Sequence, residues 1–266
     1  KKYVIKMKYK SIILFYCLIL LNACSSPKKL FQNEDEEKIL VFLCIGQSNM
    51  AGRADIMPSD TLELKNVLLF NDSSKWEIAK NPLNRYSNIR KDISMQKLGP
   101  SWTFVKKMSE VLKDKKIGLV VNAKGGSSID EWKKGGEYYE KTIIRAKEAQ
   151  KTGIIKGLIW HQGESDQNKS EVYTDKFIAL VENIRNDLGI YNLPVIVGEI
   201  GHWKESSKNI NMVISNLKNH IKYLEYVKTN DLESLGDKTH FNTESQSILG
   251  ERYAIKFLEL TNSSAK

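Results

Sequence analysis

An α/β fold with a parallel sheet covered on both faces is predicted for this chain, because short apolar runs alternate with amphipathic segments from Lys38 onward. The runs are Ile39–Ile45, Val67–Phe70, Ile117–Val121, Ile155–Trp160 and Leu193–Ile200. They are apolar at nearly every position rather than at every second one, which marks strands buried on both sides. Between them lie helical patterns over Trp102–Lys113, Tyr138–Gln150, Val172–Leu188 and Ile210–Tyr223. A last helix is expected from Thr243, read as its N-cap, to about Leu260. Strands separated by helices imply a sheet between two helical layers. In such folds the chemistry gathers at the carboxyl ends of the strands. Polar, glycine-rich clusters do follow the strand runs here: Gly46–Met50 after the first, Asn122–Ser128 after the third and His161–Asp166 after the fourth. Asp237-Lys238-Thr239-His240 precedes the final helix.

The first 37 residues read differently. Lys1, Lys2, Lys6, Lys8 and Lys10 supply five of the +9 formal charges. The rest are spread without a basic stripe, so the charge gives no footing for a nucleic-acid partner. The apolar run Ile12–Leu21 is too short for a comfortable membrane span and fits a signal-peptide core. It ends in Leu21-Asn22-Ala23-Cys24, which resembles a bacterial lipoprotein box. That resemblance implies removal of the signal, a lipid on Cys24, and a membrane-tethered protein of the cell envelope, on the periplasmic face or the cell surface. An uncleaved anchor helix is the other reading. The expected organisation is a signal and lipobox over residues 1–24, a polar tether over 25–37 and one domain over 38–262. Cys44, inside the first strand run, is left as a buried hydrophobe without a disulfide partner.

Ser48 sits between a strand and a turn, and a serine hydroxyl needs a base within hydrogen-bond reach to act as a nucleophile. Of His161, His202, His220 and His240, the last is the best base, because Asp237 lies three residues earlier and can reach one imidazole nitrogen while the other faces substrate. Neither a Gly-x-Ser turn nor an Asp-x-x-His pair is specific alone. Their placement at strand ends joins them.

Four motifs in order are more specific: Gly46-Gln47-Ser48-Asn49-Met50; Gly125-Gly126-Ser127-Ser128-Ile129 with Trp132; His161-Gln162-Gly163-Glu164; and Asp237-x-x-His240. Together they resemble the SGNH (GDSL-like) hydrolases, in the branch of sialate O-acetylesterases and of acetylxylan esterases of carbohydrate esterase family six. The resemblance implies a flavodoxin-like three-layer α/β/α sandwich with a central parallel sheet. It also implies hydrolysis of acetyl esters on sugars, without metal or other cofactor. By motif, Ser48 is the nucleophile, His240 the base and Asp237 its orienting carboxylate. The oxyanion hole is assigned to the backbone N–H of Ser48, a backbone N–H at Gly125 and the side-chain amide of Gln162, with Asn122 as the next side-chain candidate. Gly126 is the other choice for the backbone donor.

Gln47, Asn49, Gly126 and Glu164 stand as possible substrate contacts, with turn or loop fixing as the alternative. Trp132, Trp203 and Tyr86 form either a sugar-stacking platform or core and rim packing. Arg53 is read as a surface salt bridge in preference to an acidic-sugar contact. No His-x-x-x-His or Cys-x-x-Cys spacing points to zinc. A non-catalytic glycan-binding lipoprotein is the reading from another class, and a lipase or thioesterase of the wider superfamily is the third. The intact set Ser48, Asp237 and His240 opposes the second. Gln-Ser-Asn-Met with His-Gln-Gly-Glu opposes the third.

Overall fold

A computed structural model describes residues 38–90 and 92–263. The signal-like run, Cys24 and the tether lie outside the described residues. In chain order the elements are β1 (Ile39–Gly46), α1 (Ser48–Ala51), β2 (Val67–Phe70), β3 (Trp76–Ile78), α2 (Ser101–Val111), β4 (Ile117–Ala123), α3 (Glu137–Gln150), β5 (Gly153–His161), α4 (Tyr173–Leu188), β6 (Val195–Gly198), α5 (Ser207–Asn216), β7 (Leu224–Val227) and α6 (Thr243–Ser263). The sheet runs β3-β2-β4-β1-β5-β6-β7. All neighbours pair in parallel except β2 and β3, which form an antiparallel edge.

β1 is central, and its sequence explains why. Leu40, Phe42 and Cys44 enter one core with α2 and α6, while Val41, Leu43 and Ile45 enter the other with α3, α4 and α5. An apolar residue at every position suits both layers, since successive strand side chains point to opposite faces. Phe42 meets Phe104 of α2 and Phe257 of α6 edge-on, at ring-centroid distances of 5.1 and 5.0 Å. Such pairs add about 0.5–1.5 kcal/mol each beyond the area they bury.

Three local expectations are corrected. β3 and β7 are additional strands, short and only half-buried or mixed in burial, so neither leaves a continuous apolar run. The helix expected over Ile210–Tyr223 is α-helical only to Asn216, after which Leu217–Asn219 tighten into a 3-10 turn closed by the His220 N–H on Leu217 O at 3.0 Å. Thr243 is the first residue of α6, and Asn242 acts as the cap, its Oδ1 accepting from the Ser245 N–H at 2.9 Å.

The connection leaving β1 runs toward β2 and β3, whereas that leaving β5 runs toward β6. A crevice therefore opens between the carboxyl ends of β1 and β5, where the chain changes direction. Ser48 follows one strand and Gln162 the other.

Candidate active site

The nucleophile turn depends on Gly46. Its φ of +137° is poorly accessible to residues with a Cβ, and an added Cβ would stand 2.1 Å from the His161 carbonyl oxygen. That close approach lets the Gln47 N–H donate to His161 O at 2.9 Å, pinning the turn to the end of β5. Ser48 then opens α1 and is 5 % exposed, at the wall of a cleft.

From the other side, the loop before α6 brings in His240. Its Nε2 lies 2.9 Å from Ser48 Oγ, and its Nδ1 lies 2.6 Å from Asp237 Oδ2. An ionised carboxylate only accepts, so Nδ1 carries the proton and Nε2 is left as the acceptor for the serine hydroxyl. The second Asp237 oxygen, Oδ1, accepts from the N–H groups of Thr239 and His240 at 2.9 and 2.8 Å. Burial pushes the Asp237 carboxyl up. The hydrogen bonds from His240 and Thr239 outweigh it and hold the group below its ordinary value. This chain of hydroxyl, imidazole and carboxylate can move a proton off Ser48 as its oxygen attacks an acyl carbon.

Gly125 faces the same point. An added Cβ there would lie 3.7 Å from Ser48 Cβ and 2.5 Å from Arg53 Nη2, so a larger residue would displace the Arg53 guanidinium from this wall of the cleft. Among the described residues, the Gly125 N–H makes no backbone hydrogen bond. Gly126, Gln47 and Glu164 also line the cleft.

Several expected site residues are placed elsewhere. Gln162 is fully buried, and its Nε2 donates to Asp166 Oδ2 at 2.6 Å, to Ser127 O at 2.9 Å and to Gln47 Oε1 at 3.2 Å. With its hydrogens taken by these acceptors, the amide braces the wall behind Gln47 rather than facing the cleft. Asn122 is likewise spent, donating to Asn88 and Thr142 and accepting from Ser87 and the Asn88 N–H. Asn49 is buried and bonded into the base loop, away from any substrate. Trp132 lies in the core, Trp203 packs on Phe241, and Tyr86 donates to Glu77, so among the described residues no aromatic platform lines the cleft. His161 is buried against the Tyr253 hydroxyl, His202 pairs with Glu199 and His220 is exposed beside Asn216.

The structure corrects the surface ion pair expected of Arg53. Arg53 is 8 % exposed, lines the cleft and has no carboxylate partner among the described residues. Burial, and then the neighbouring Arg90 charge, push its guanidinium down to about 10. Asp166 is a further residue that sequence reasoning missed. It is 1 % exposed, and burial raises its carboxyl against the bonds from Gln162 and the Ile129 N–H.

Comparison with known proteins decides the family. The profile of the carbohydrate esterase, sialic acid-specific acetylesterase family matches residues 38–259. The chain belongs to this family. A probable carbohydrate esterase of Arabidopsis thaliana is 30 % identical over 241 residues, covering 82 % of this chain and 90 % of that protein. A solved Arabidopsis thaliana structure of the same designation superimposes with a TM-score of 0.77 at 29 % identity, over 84 % of this chain and 98 % of the other. A carbohydrate acetylesterase from Xanthomonas citri gives 0.60 at 18 % identity, covering 81 % and 55 % of the two chains. A GDSL-like lipase from Parabacteroides merdae gives 0.56 at 11 % identity, covering 84 % and 97 %. These last two are likenesses of fold, and they agree with the SGNH-type three-layer sandwich. As a member of a carbohydrate esterase family, the chain is an ester hydrolase, and the cleft around Ser48 is where its sequence motifs meet.

Proposed function

We propose that this chain is a carbohydrate O-acetylesterase that works through an acetyl-enzyme on Ser48. The observation that carries the reading is the continuous path from Ser48 Oγ to His240 Nε2 at 2.9 Å and from His240 Nδ1 to Asp237 at 2.6 Å, opening on a cleft. Ser48 Oγ attacks the acetyl carbonyl carbon while its proton passes to His240 Nε2. The N–H groups of Ser48 and Gly125 receive the charge that develops on the carbonyl oxygen. As the tetrahedral intermediate collapses, the bond to the sugar oxygen breaks and that oxygen takes the proton from His240. Water then attacks the acetyl-serine with His240 as base, and acetate leaves.

Sialate and acetylxylan esters both fit this chemistry. Arg53 favours a carboxylate-bearing sugar, because a guanidinium that is largely buried without a counter-ion gains most from an anionic ligand, and Arg90, paired with Asp92 at 3.8 Å, adds positive charge to the same cleft. Acetate release from acetylated sialosides, acetylated xylan and aryl acetates tests both levels. Hydrolysis of aryl acetates with a lower KM for the acidic sugar is expected, and Arg53→Met is expected to erase that preference. A wild-type protein that binds acetylated glycans without releasing acetate would replace the esterase by a glycan-binding lipoprotein. Tethering to the cell envelope through Cys24 is proposed from the sequence alone. An alkyne fatty acid is expected to label wild-type protein in cells and to leave Cys24→Ser unlabelled.

A further inference from the structure

Ser48 and His240 are 192 residues apart in the chain, and their 2.9 Å contact has to be held by something other than itself. The base loop is open to solvent, with the His240 and Asp237 side chains 21 % and 46 % exposed. Its internal bonds, such as Leu235 N–H to His240 O at 2.7 Å, shape the loop without tying it to the nucleophile turn. Among the described residues, every other hydrogen bond between α1 and residues 237–241 passes through one side chain, that of Asn49.

We infer that Asn49 is the positioning residue that registers the base against the nucleophile, by clamping the peptide on both sides of His240. Its Nδ2 donates to Thr239 O at 3.0 Å, and its Oδ1 accepts from the Phe241 N–H at 3.2 Å. One side chain must therefore present a donor and an acceptor side by side to two peptides that flank the same residue. A primary amide does this. A carboxylate has no donor, and a hydroxyl has one atom for both tasks. The amide could flip, and Glu164 prevents it: the carboxylate accepts the second Nδ2 hydrogen at 2.5 Å, and in the flipped orientation it would face Oδ1 instead. Glu164 stays ionised, because His161, 3.7 Å away, and Asn49 outweigh the burial that pushes its carboxyl up. Gln246 of α6 completes the anchorage, donating to Asn49 Oδ1 and to its backbone carbonyl at 3.3 Å each. Asn49 is 0 % exposed, so it acts on the reaction only through the loop.

The inference rests on the esterase reading, and a double-mutant cycle on an aryl acetate separates the two. A displacement of about 1 Å at a reacting group can cost about 10²-fold in rate. Asn49→Ala is therefore expected to lower kcat by roughly 10- to 100-fold with KM changed less than about threefold. In a His240→Ala background the same change is expected to cost nothing further, because there is no base left to position. Glu164→Gln, which preserves side-chain volume, is expected to lower kcat by a smaller factor and to show the same non-additivity; it carries the test if Asn49→Ala fails to fold by circular dichroism. An additive loss in the His240→Ala background, or a raised KM with kcat intact, overturns the clamp while leaving the esterase standing. No hydrolysis of any acetyl ester by the wild-type protein overturns both.

Discussion

Cys44 lies in β1 with no exposed surface, and burial pushes its thiol up to about 12. The thiolate is the reactive form, so the folded domain should leave Cys44 unalkylated by iodoacetamide at pH 8 and expose it only on unfolding, read by peptide mass spectrometry. Gln162 is equally enclosed, and its loss is a matter of stability first. Gln162→Ala removes the donors facing Asp166 and Ser127 O, and leaving such buried acceptors unsatisfied costs about 1–3 kcal/mol. A lower thermal midpoint is expected; an unchanged midpoint with kcat reduced about 10²-fold or more would return Gln162 to the oxyanion hole. Asp237 and His240 could be paired from sequence because they sit three residues apart on one loop. Arg53, Asp166 and Asn49 could not be placed, since what they face lies elsewhere in the chain: Arg90 for the first, Ile129 for the second, Thr239 for the third.

At the level of elements, the end of β1 is the least tolerant place in the chain. Gly46→Ala would add left-handed strain and a clash with His161 O, each costing about 1–3 kcal/mol. Chemical denaturation is expected to show that loss, together with loss of activity from a displaced Ser48. Wild-type stability in this variant would mean the turn is not built as described. Long elements were legible in the sequence because apolar periodicity over many residues leaves little ambiguity. The strands β3 and β7 were not, because three or four residues with a charged member carry no distinctive period. The early end of α5 is a tightening of the chain into the 3-10 turn Leu217–Asn219, which apolar periodicity does not register.

Across the whole molecule, the fold brings loops from the ends of β1, β4 and β5 and the segment before α6 to one edge of the sheet, where Glu164 ties the β5 loop to Asn49 and Asp166 ties it to the Ile129 N–H. Glu164 and Asp237 are held below their ordinary values, and the Arg252 guanidinium pushes Asp231 down to about 2. A carboxyl depressed on folding contributes stability that is present above its unfolded pKa of about 4 and is lost as pH falls through its folded value. Stability should therefore fall progressively below about pH 4 and continue to fall toward pH 2. Glu164→Gln should flatten part of that acid limb in equilibrium denaturation followed by pH. An acid limb identical to wild type would remove Glu164 from the account.

Ser48, His240 and Asp237 are proposed to act as one unit, which covalent capture of the nucleophile can test. The full chain would be treated with a fluorophosphonate and the adduct located by peptide mass spectrometry, in wild type, Ser48→Ala and His240→Ala. A single adduct is expected on the peptide containing Ser48, absent in Ser48→Ala and slowed by orders of magnitude in His240→Ala, where the base at 2.9 Å is gone. An adduct on another residue, or labelling of Ser48 at an undiminished rate without His240, would contradict it.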